Sequence, residues 1–501
     1  MTDVKRRVAK SARKMRTKNK KLDHGNKPPV ETISREVAES KTAPMKPNIV
    51  FILVDNIGWG DFSVYGGTTA TPRIDALANS GIRFNNYNVE GQCTPSRSAI
   101  LTGRQSVRSG TYTIPLDPHL PYGLAPWEYT IAELLSDSGY ATALYGKWHL
   151  GAVEERLPTN QGFDEWWGYK DTMDEAGYDS YALYRELIKA THGESPKIWE
   201  GKKGKRSKPV RDLNIGVRPF MDEMITKHTT DYIGRQATAG KPFFVYTALS
   251  HAHPPEKNHP DFDQKSPERL GGYSDMIAEI DFRIGQILDA LKQAGVEEKT
   301  IVILSSDNGA GGVPVSPFGG SSGPWHGSFS NPPYEGSMRV PAMMRWPGHV
   351  PAGVVTQEML TAHDWLPTLA GMVGESNRAP KDRPIDGIDA SAFMLGRSKT
   401  TGRVEYVFFG PDAEPMSVKW RNIKVIYRYA DGFDKPILKP YWPLVYDLTS
   451  DPHEDFNILV HKMDMFWMLG PAMKALSSYQ KSVAEYPNIK PGEEFKGYPK
   501  K

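Results

Sequence analysis

The chain's hydrophobic positions follow two rhythms. Asn48-Ile-Val-Phe-Ile-Leu-Val54 is apolar after its first residue with no alternation, a pattern that suits a strand buried on both faces rather than one half-exposed to water. Strand signals recur at Ala141–Tyr145, Phe243–Leu249 and Ile301–Leu304. Between them the period lengthens. Thr71–Asn79 puts Ile74, Leu77 and Ala78 on one helical face and stops at Gly81, and Thr130 is placed to cap a helix running through Ser136. Tyr273–Ala294 repeats apolar residues at Met276, Ile277, Ile280, Ile284, Ile287, Leu288 and Leu291, the spacing of an amphipathic helix apolar on two sides. Strand and helix alternate from Lys46 to about Gly371, which predicts an α/β fold with a predominantly parallel sheet covered by helices.

Beyond Arg378 a Pro-, Lys- and Asp-rich stretch leads into short β-like segments at Val404–Phe409 and Ile423–Tyr427. The reading is therefore a tail over 1–45, a main domain over 46–378 and a smaller antiparallel subdomain over 379–501. Gly201–Lys208 reads as a basic surface loop or insertion, and no internal repeat is found.

Composition narrows the classes. With 39% hydrophobic and 24% charged residues, 46 glycines and 40 prolines, the chain is a loop-rich globular protein rather than a disordered or fibrous one. No apolar stretch approaches the ~20 residues of a membrane span. A single cysteine, Cys93, excludes an intramolecular disulfide and any multi-cysteine metal site. The formal charge of +3 hides an asymmetry: Met1–Leu22 carries ten Lys/Arg and one Asp, and removing these from totals of 62 and 59 leaves 52 basic against 58 acidic. That arm reads as a solvated tail, and no nucleic-acid partner is expected. Arg6-Arg7 resembles the start of an export signal, but no apolar segment of about 7–15 residues follows. Cytoplasmic localisation is the expectation, or periplasmic or secreted if the start is misassigned.

Two apolar strands end in the same dipeptide, Asp55-Asn56 and Asp307-Asn308, 252 residues apart. Either alone is ordinary turn chemistry. Parallel strands would bring the pair together at the carboxyl end of the sheet, where α/β ligands bind, as an all-oxygen site for Ca²⁺ or Mg²⁺. Gly146-Lys147-Trp148-His149-Leu150-Gly151 follows another strand, and Ser250-His251-Ala252-His253-Pro254-Pro255 a third.

Cys93-Thr-Pro-Ser-Arg97, continued as Ser-Ala-Ile-Leu-Thr-Gly-Arg104, resembles the maturation signature of the type I sulfatases, in which the cysteine is oxidised by a separate formylglycine-generating enzyme to Cα-formylglycine. The resemblance runs from Pro47 to about Asn457 and includes Tyr334–Pro341 and Tyr446–Asn457. It implies an alkaline-phosphatase-like α/β/α sandwich with a central mixed, mostly parallel sheet and hydrolysis of a small-molecule sulfate monoester. A hydrated formylglycine is a geminal diol: one hydroxyl attacks sulfur and expels the alcohol, and loss of the proton from the other re-forms C=O and ejects sulfate by elimination, where an ordinary serine would be left as a stable ester.

The resemblance also assigns roles. Asp55, Asn56, Asp307 and Asn308, with the modified Cys93, match metal positions for Ca²⁺, Mg²⁺ remaining possible; Asn56 stands where many relatives carry a second Asp. Lys147 offsets charge on sulfate, His149 takes the proton that drives elimination, His253 meets the leaving oxygen, and Arg97 braces the site. His251 is an orienter or a plain loop residue. Relatives commonly place a second sulfate-binding Lys before the Tyr-Glu-Gly segment; Gly323–Tyr334 has none, and His326 is the candidate replacement. Trp325 and Trp346 read as packing residues before substrate ones, and the acidic residues of Leu444–Asn457 as structural. Alternatives stay open: a phosphonate or phosphate monoester hydrolase on the same scaffold, or a catalytically silent binder of sulfated ligands. The sequence leaves the organic part of the ester and the oligomeric state undetermined.

Overall fold

A computed structural model describes residues 46–499 apart from 116–119, 192–193, 265, 267–270, 313–318, 330 and 433–434. The basic tail over 1–45 lies outside the described residues. Strands run β1 Asn48–Val54, β2 Ile82–Phe84, β3 Tyr87–Asn88, β4 Ala141–Lys147, β5 Glu165–Tyr169, β6 Lys197–Lys202, β7 Lys208–Asp212, β8 Phe243–Ala248, β9 Thr300–Ser306, β10 Ala342–Arg345, β11 Val354–Thr356, β12 Leu360–Thr361, β13 Glu405–Phe409, β14 Pro415–Trp420, β15 Ile423–Ile426 and β16 Leu444–Asp447. Ten of them form one sheet in the order β11-β2-β10-β9-β1-β8-β4-β5-β6-β7. Its centre is parallel from β9 through β1, β8 and β4 to β5, and β10, β6 and β7 make the antiparallel pairs.

β1 is buried at every position, because each face of the sheet meets a layer of helices. Ile49, Phe51 and Leu53 enter one core with helices α1 Cys93–Thr102 and α2 Ile131–Asp137. Val50, Ile52 and Val54 enter the other with α3 Met221–Ala239 and α4 Gly272–Gln293. Every apolar position read in Tyr273–Ala294 is buried in that second core. Thr130 caps α2 through a capping box with Glu133, which satisfies two backbone donors at the helix start.

Three features differ from the sequence reading. Gly201–Lys208 is the end of β6, a turn and the start of β7, an edge hairpin whose outer strand is exposed throughout; polar residues on both its faces give no alternation to detect. β2, β10 and β11 span only three or four residues each, too few for a period. A C-terminal helix, α5 Leu469–Glu485, packs on the small sheet. That sheet is an antiparallel meander, β13-β14-β15-β16.

A buried cluster of charge ties the small sheet to the segment before β10. Glu335 lies 2.7 Å from Lys419 on β14, 3.2 Å from Lys424 on β15 and 2.7 Å from Arg339, while Lys424 also meets Glu454 at 2.9 Å. Lys419 Nζ donates to Asn86, Asn88 and Glu335, which uses all three ammonium protons. Among the described residues no helix is long and apolar enough to cross a membrane.

Candidate active site

Register brings four strand tips side by side. Val54 pairs with Ser306, Leu53 with Ala248, and Ala248 with Gly146, so Asp55, Asp307, Ser250–His253 and Lys147–His149 emerge on one rim. The strands approach closely here: a Cβ at Gly146 would stand 1.9 Å from the Ala248 carbonyl oxygen, so only glycine fits. Asn56 and His149 hold left-handed backbones, φ 59° and 58°, uncommon for non-glycine residues and frequent at working sites.

Cys93 opens α1, whose ten residues are all buried. Pro95 sits in the first turn, where its missing N–H costs nothing, and Gly103 closes the helix at φ 68°. The spacing from Cys93 to Arg97 is one helical turn, so both side chains share a face. Cys93 Sγ lies 3.8 Å from Asp55 Oδ1. Arg97 donates through Nε and Nη2 to Asp307 Oδ2 at 3.0 and 2.8 Å, and through Nη1 to the Lys147 carbonyl. Lys147 Nζ donates to Asp55 Oδ2 at 2.8 Å. Asp55, Cys93 and His253 each offer an atom within 4.8 Å of the others.

Burial dominates the electrostatics. It pushes the Cys93 thiol well up, with Asp307 adding to it, so the unmodified side chain is a weak nucleophile. Burial and Asp55 raise Asp307 despite Arg97. Burial pulls Lys147 down, but Asp55, with Cys93 and Asp307, raises it above the usual lysine range. Burial, then Lys147 and Arg97, hold His149 well below the usual imidazole range, and burial with Lys147 brings His253 down to about 4.

The donor set suits a hard divalent ion. Asn308 donates to Asn56 Oδ1 at 2.6 Å, while Asn308 Oδ1, buried, has no partner among the described residues. Two carboxylates and carboxamide oxygens are the ligand chemistry of Ca²⁺ or Mg²⁺. Arg97 and Lys147 pair with the two carboxylates, so an ion bound here would meet carboxylates already faced by cations.

The other candidates are distributed differently. His251 is fully buried; its Nε2 donates to Glu279 at 2.9 Å and its Nδ1 accepts from Arg218 at 3.2 Å. His253 Nδ1 donates to the Pro254 carbonyl, leaving Nε2 to accept from Thr172 at 3.1 Å. His326 is half-buried, stacked on Tyr334 at 4.1 Å and bonded to the His453 carbonyl. None of its polar contacts among the described residues reaches Cys93. Trp346 is packed in the core, whereas Trp325 is partly exposed and lies under Arg339 at 3.7 Å.

Sequence reasoning missed the supports. Arg218, buried on the approach to α3, donates to Ser250, His251, His253 and Pro255. Asp222 accepts from the backbone of Ser250 and His251 at 2.6 and 2.9 Å. No local motif marks either residue. Glu279 had a signal: with Arg283 it puts charge inside the buried stretch of α4.

Comparison with known proteins agrees with this geometry. A family model described as Sulfatase matches residues 47–375. N-acetylgalactosamine-6-sulfatase of Canis lupus familiaris is 34% identical over 475 residues, covering 88% of this chain and 87% of the relative. Arylsulfatase A of Homo sapiens is 32% identical over 442 residues, with coverages of 82% and 83%. The crystal structure of PsFucS1 sulfatase from Pseudoalteromonas superposes with a TM-score of 0.82 at 29% identity, covering 89% of this chain and 92% of that one.

Proposed function

We propose, from the premise that the chain belongs to the sulfatase family and so hydrolyses sulfate esters, that residue 93 is the nucleophile after oxidation to formylglycine by a maturation enzyme of the host. The observation that carries this is the placement of Cys93 Sγ, fully buried and 3.8 Å from Asp55, on the rim where Lys147, His253 and the Arg97-held Asp307 meet. A cysteine whose thiol is pushed up by burial has little use there as a thiolate. Oxidised, the position would supply a hydrated aldehyde.

Asp55, Asp307, Asn308 and the Asn56 amide would hold Ca²⁺, with Mg²⁺ the alternative. When bound, the ion supplies positive charge against the sulfate oxygens. The chain's own residues do the rest. Lys147, kept charged by Asp55, faces sulfate with a buried ammonium. His149, held neutral, can accept a proton through Nδ1, which is buried and has no partner among the described residues. His253, whose Nδ1 is held by the Pro254 carbonyl, would carry a proton on Nε2 to the leaving oxygen once a bound sulfate anion favours its charged form and Thr172 yields the position. Arg97 keeps Asp307 in place and the first turn of α1 against β4.

The test is the mass of the Cys93 peptide from protein made in its native host, together with turnover of paired aryl sulfate and aryl phosphonate esters. Replacement of the thiol by an aldehyde and preference for the sulfate are expected. An unmodified thiol in active enzyme, or dominance of the phosphonate, overturns the reading.

A further inference from the structure

A group of metal-ligating side chains lies outside the candidate active site. His326 belongs to the loop before Glu335, and His453 and Asp455 to the turn after β16, with 127 residues between the two histidines. Their rings stack at 4.9 Å with 11° between the planes. His326 Nδ1 donates to the His453 carbonyl at 3.1 Å, and His453 Nδ1 donates to Asp455 Oδ1 at 2.9 Å. One ligand atom from each of the three lies within 4.8 Å of the other two.

The backbone builds this arrangement. Glu454 holds a left-handed φ of 58° and turns its carboxylate inward, where Lys424 meets it at 2.9 Å and the Glu335 backbone N–H donates to it at 2.8 Å. Its neighbours on either side, His453 and Asp455, are left facing water, 56% and 53% exposed. Asp451 fixes the turn by accepting from the backbone of Asp455 and Phe456 at 3.1 and 2.9 Å. Stacking on Tyr334 at 4.1 Å holds the His326 ring. The closed charge cluster around Glu335 thus positions the three side chains, and an ion reaches them from solvent without opening the core.

Two imidazoles and one carboxylate are the ligands of a borderline first-row ion such as Zn²⁺, not of Ca²⁺, which takes oxygen donors throughout. In a tetrahedral site with bonds of about 2.0–2.1 Å, ligand atoms stand roughly 3.3 Å apart. The three atoms therefore need to close by at most about 1.5 Å, a movement that two exposed side chains allow. Burial, then His453, holds His326 below the usual imidazole range, which leaves it neutral and able to ligate without first losing a proton. No lysine or arginine pairs with Asp455 among the described residues.

We propose that His326, His453 and Asp455 form a metal site separate from the one at Asp55 and Asp307, taking Zn²⁺ through a ring nitrogen of each histidine and an oxygen of Asp455, with water completing the shell. On binding, the proton between His453 Nδ1 and Asp455 moves to Nε2 and the ion takes its place. The site clips the loop before Glu335 to the turn after β16, and it stands independently of the chemistry at residue 93.

The probe is Zn²⁺, titrated by calorimetry into the full chain, free of any affinity tag, in excess Ca²⁺ so that the oxygen-rich site is occupied. One equivalent should bind with a Kd of about 10 μM or tighter, and Co²⁺ in its place should give the visible absorption of an imidazole-ligated ion. Zn²⁺ should also raise the thermal midpoint, since it binds the folded chain across two distant segments. His453→Ala and Asp455→Asn should each weaken Zn²⁺ binding at least about tenfold and remove the midpoint shift. His461→Ala, which trims an exposed histidine outside the cluster, should keep both. In chelator the variants should melt with the parent, because the side chains they change are largely exposed. No Zn²⁺ binding by the parent below about 1 mM, or binding unmoved by both cluster variants, overturns the proposal.

Discussion

Two buried clusters of charge, each assembled from distant segments, are put to opposite uses. Around Glu335 every charge has an opposite one within 3.2 Å, and the Lys419 ammonium has spent all its protons. Around Asp55 and Asp307 the cations are also paired, but Asn308 Oδ1 and His149 Nδ1 are buried without partners among the described residues. Both clusters bear the desolvation cost of buried charge. The closed one returns it as a lock between the two sheets; the open one keeps atoms in reserve for a ligand. Pairing of charges therefore does not separate the two clusters; the carboxamide oxygen of Asn308 and the imidazole nitrogen of His149, left open beside the paired charges, do.

The sharpest way to separate them is Cys93→Ala. Sulfate ester turnover should fall by at least about a thousandfold, while urea unfolding shifts by no more than about 1 kcal/mol, because only a small side chain at the helix start is trimmed. An equally large loss of stability would make the Asp55–Asp307 cluster structural too.

Glu335→Ala should do the reverse. It strands Lys419, Lys424 and Arg339 in the interior and is expected to cost about 3–5 kcal/mol, read as a lower denaturation midpoint with whatever folded protein remains still turning over substrate. A midpoint unchanged would mean that the two sheets are held by apolar contact alone.

Glu279→Gln probes the support beneath the histidine turn. Although burial opposes it, His251 and then Arg283 bring the Glu279 carboxyl down from 4.5 to about 2. A depressed carboxylate contributes stability that is present above its unfolded pKa and disappears as pH falls through the folded value. Roughly 3 kcal/mol should be lost between pH 4.5 and 2 in the parent, and the glutamine variant should be weaker at pH 7 and lack that slope. Parallel acid titrations of the two proteins check it.

The smallest effect is expected from Asn56→Asp. Asp tolerates the left-handed backbone at that position, so geometry is preserved and one negative charge joins Asp55 and Asp307. Calcium titration should tighten several-fold, whereas the protein in chelator should melt lower by about 1 kcal/mol, because a third carboxylate adds repulsion that only the ion relieves. Tighter binding with no loss in chelator would show that the open cluster was not electrostatically balanced to begin with.

Much of the fold could be read from the chain because its central strands and long helices bury apolar residues at fixed periods. β1, β8, β9 and α4 fall within a residue or two of where that pattern put them. The edge hairpin and the short strands could not be read, since three or four residues, or a strand polar on both faces, carry no period. The candidate site was legible as motifs: Asp55-Asn56, Cys93–Arg97, Lys147–His149, His253 and Asp307-Asn308 converge on one rim. The surroundings of His326, singled out as the one basic residue in its segment, were not legible: it stacks on Tyr334 and bonds to the His453 carbonyl, and residue type says nothing of direction.

What the amino-acid order determined by itself was local: which segments are strand or helix, and which reactive side chains stand at their ends, since both follow from periodicity and turn chemistry over a few residues. Only the tertiary structure decided which of those ends meet, that Arg218 and Asp222 hold the histidine turn, and that one cluster closed while the other stayed open. Those outcomes depend on parallel register across hundreds of residues and on the loss of water around each charge, neither of which any short stretch of chain encodes.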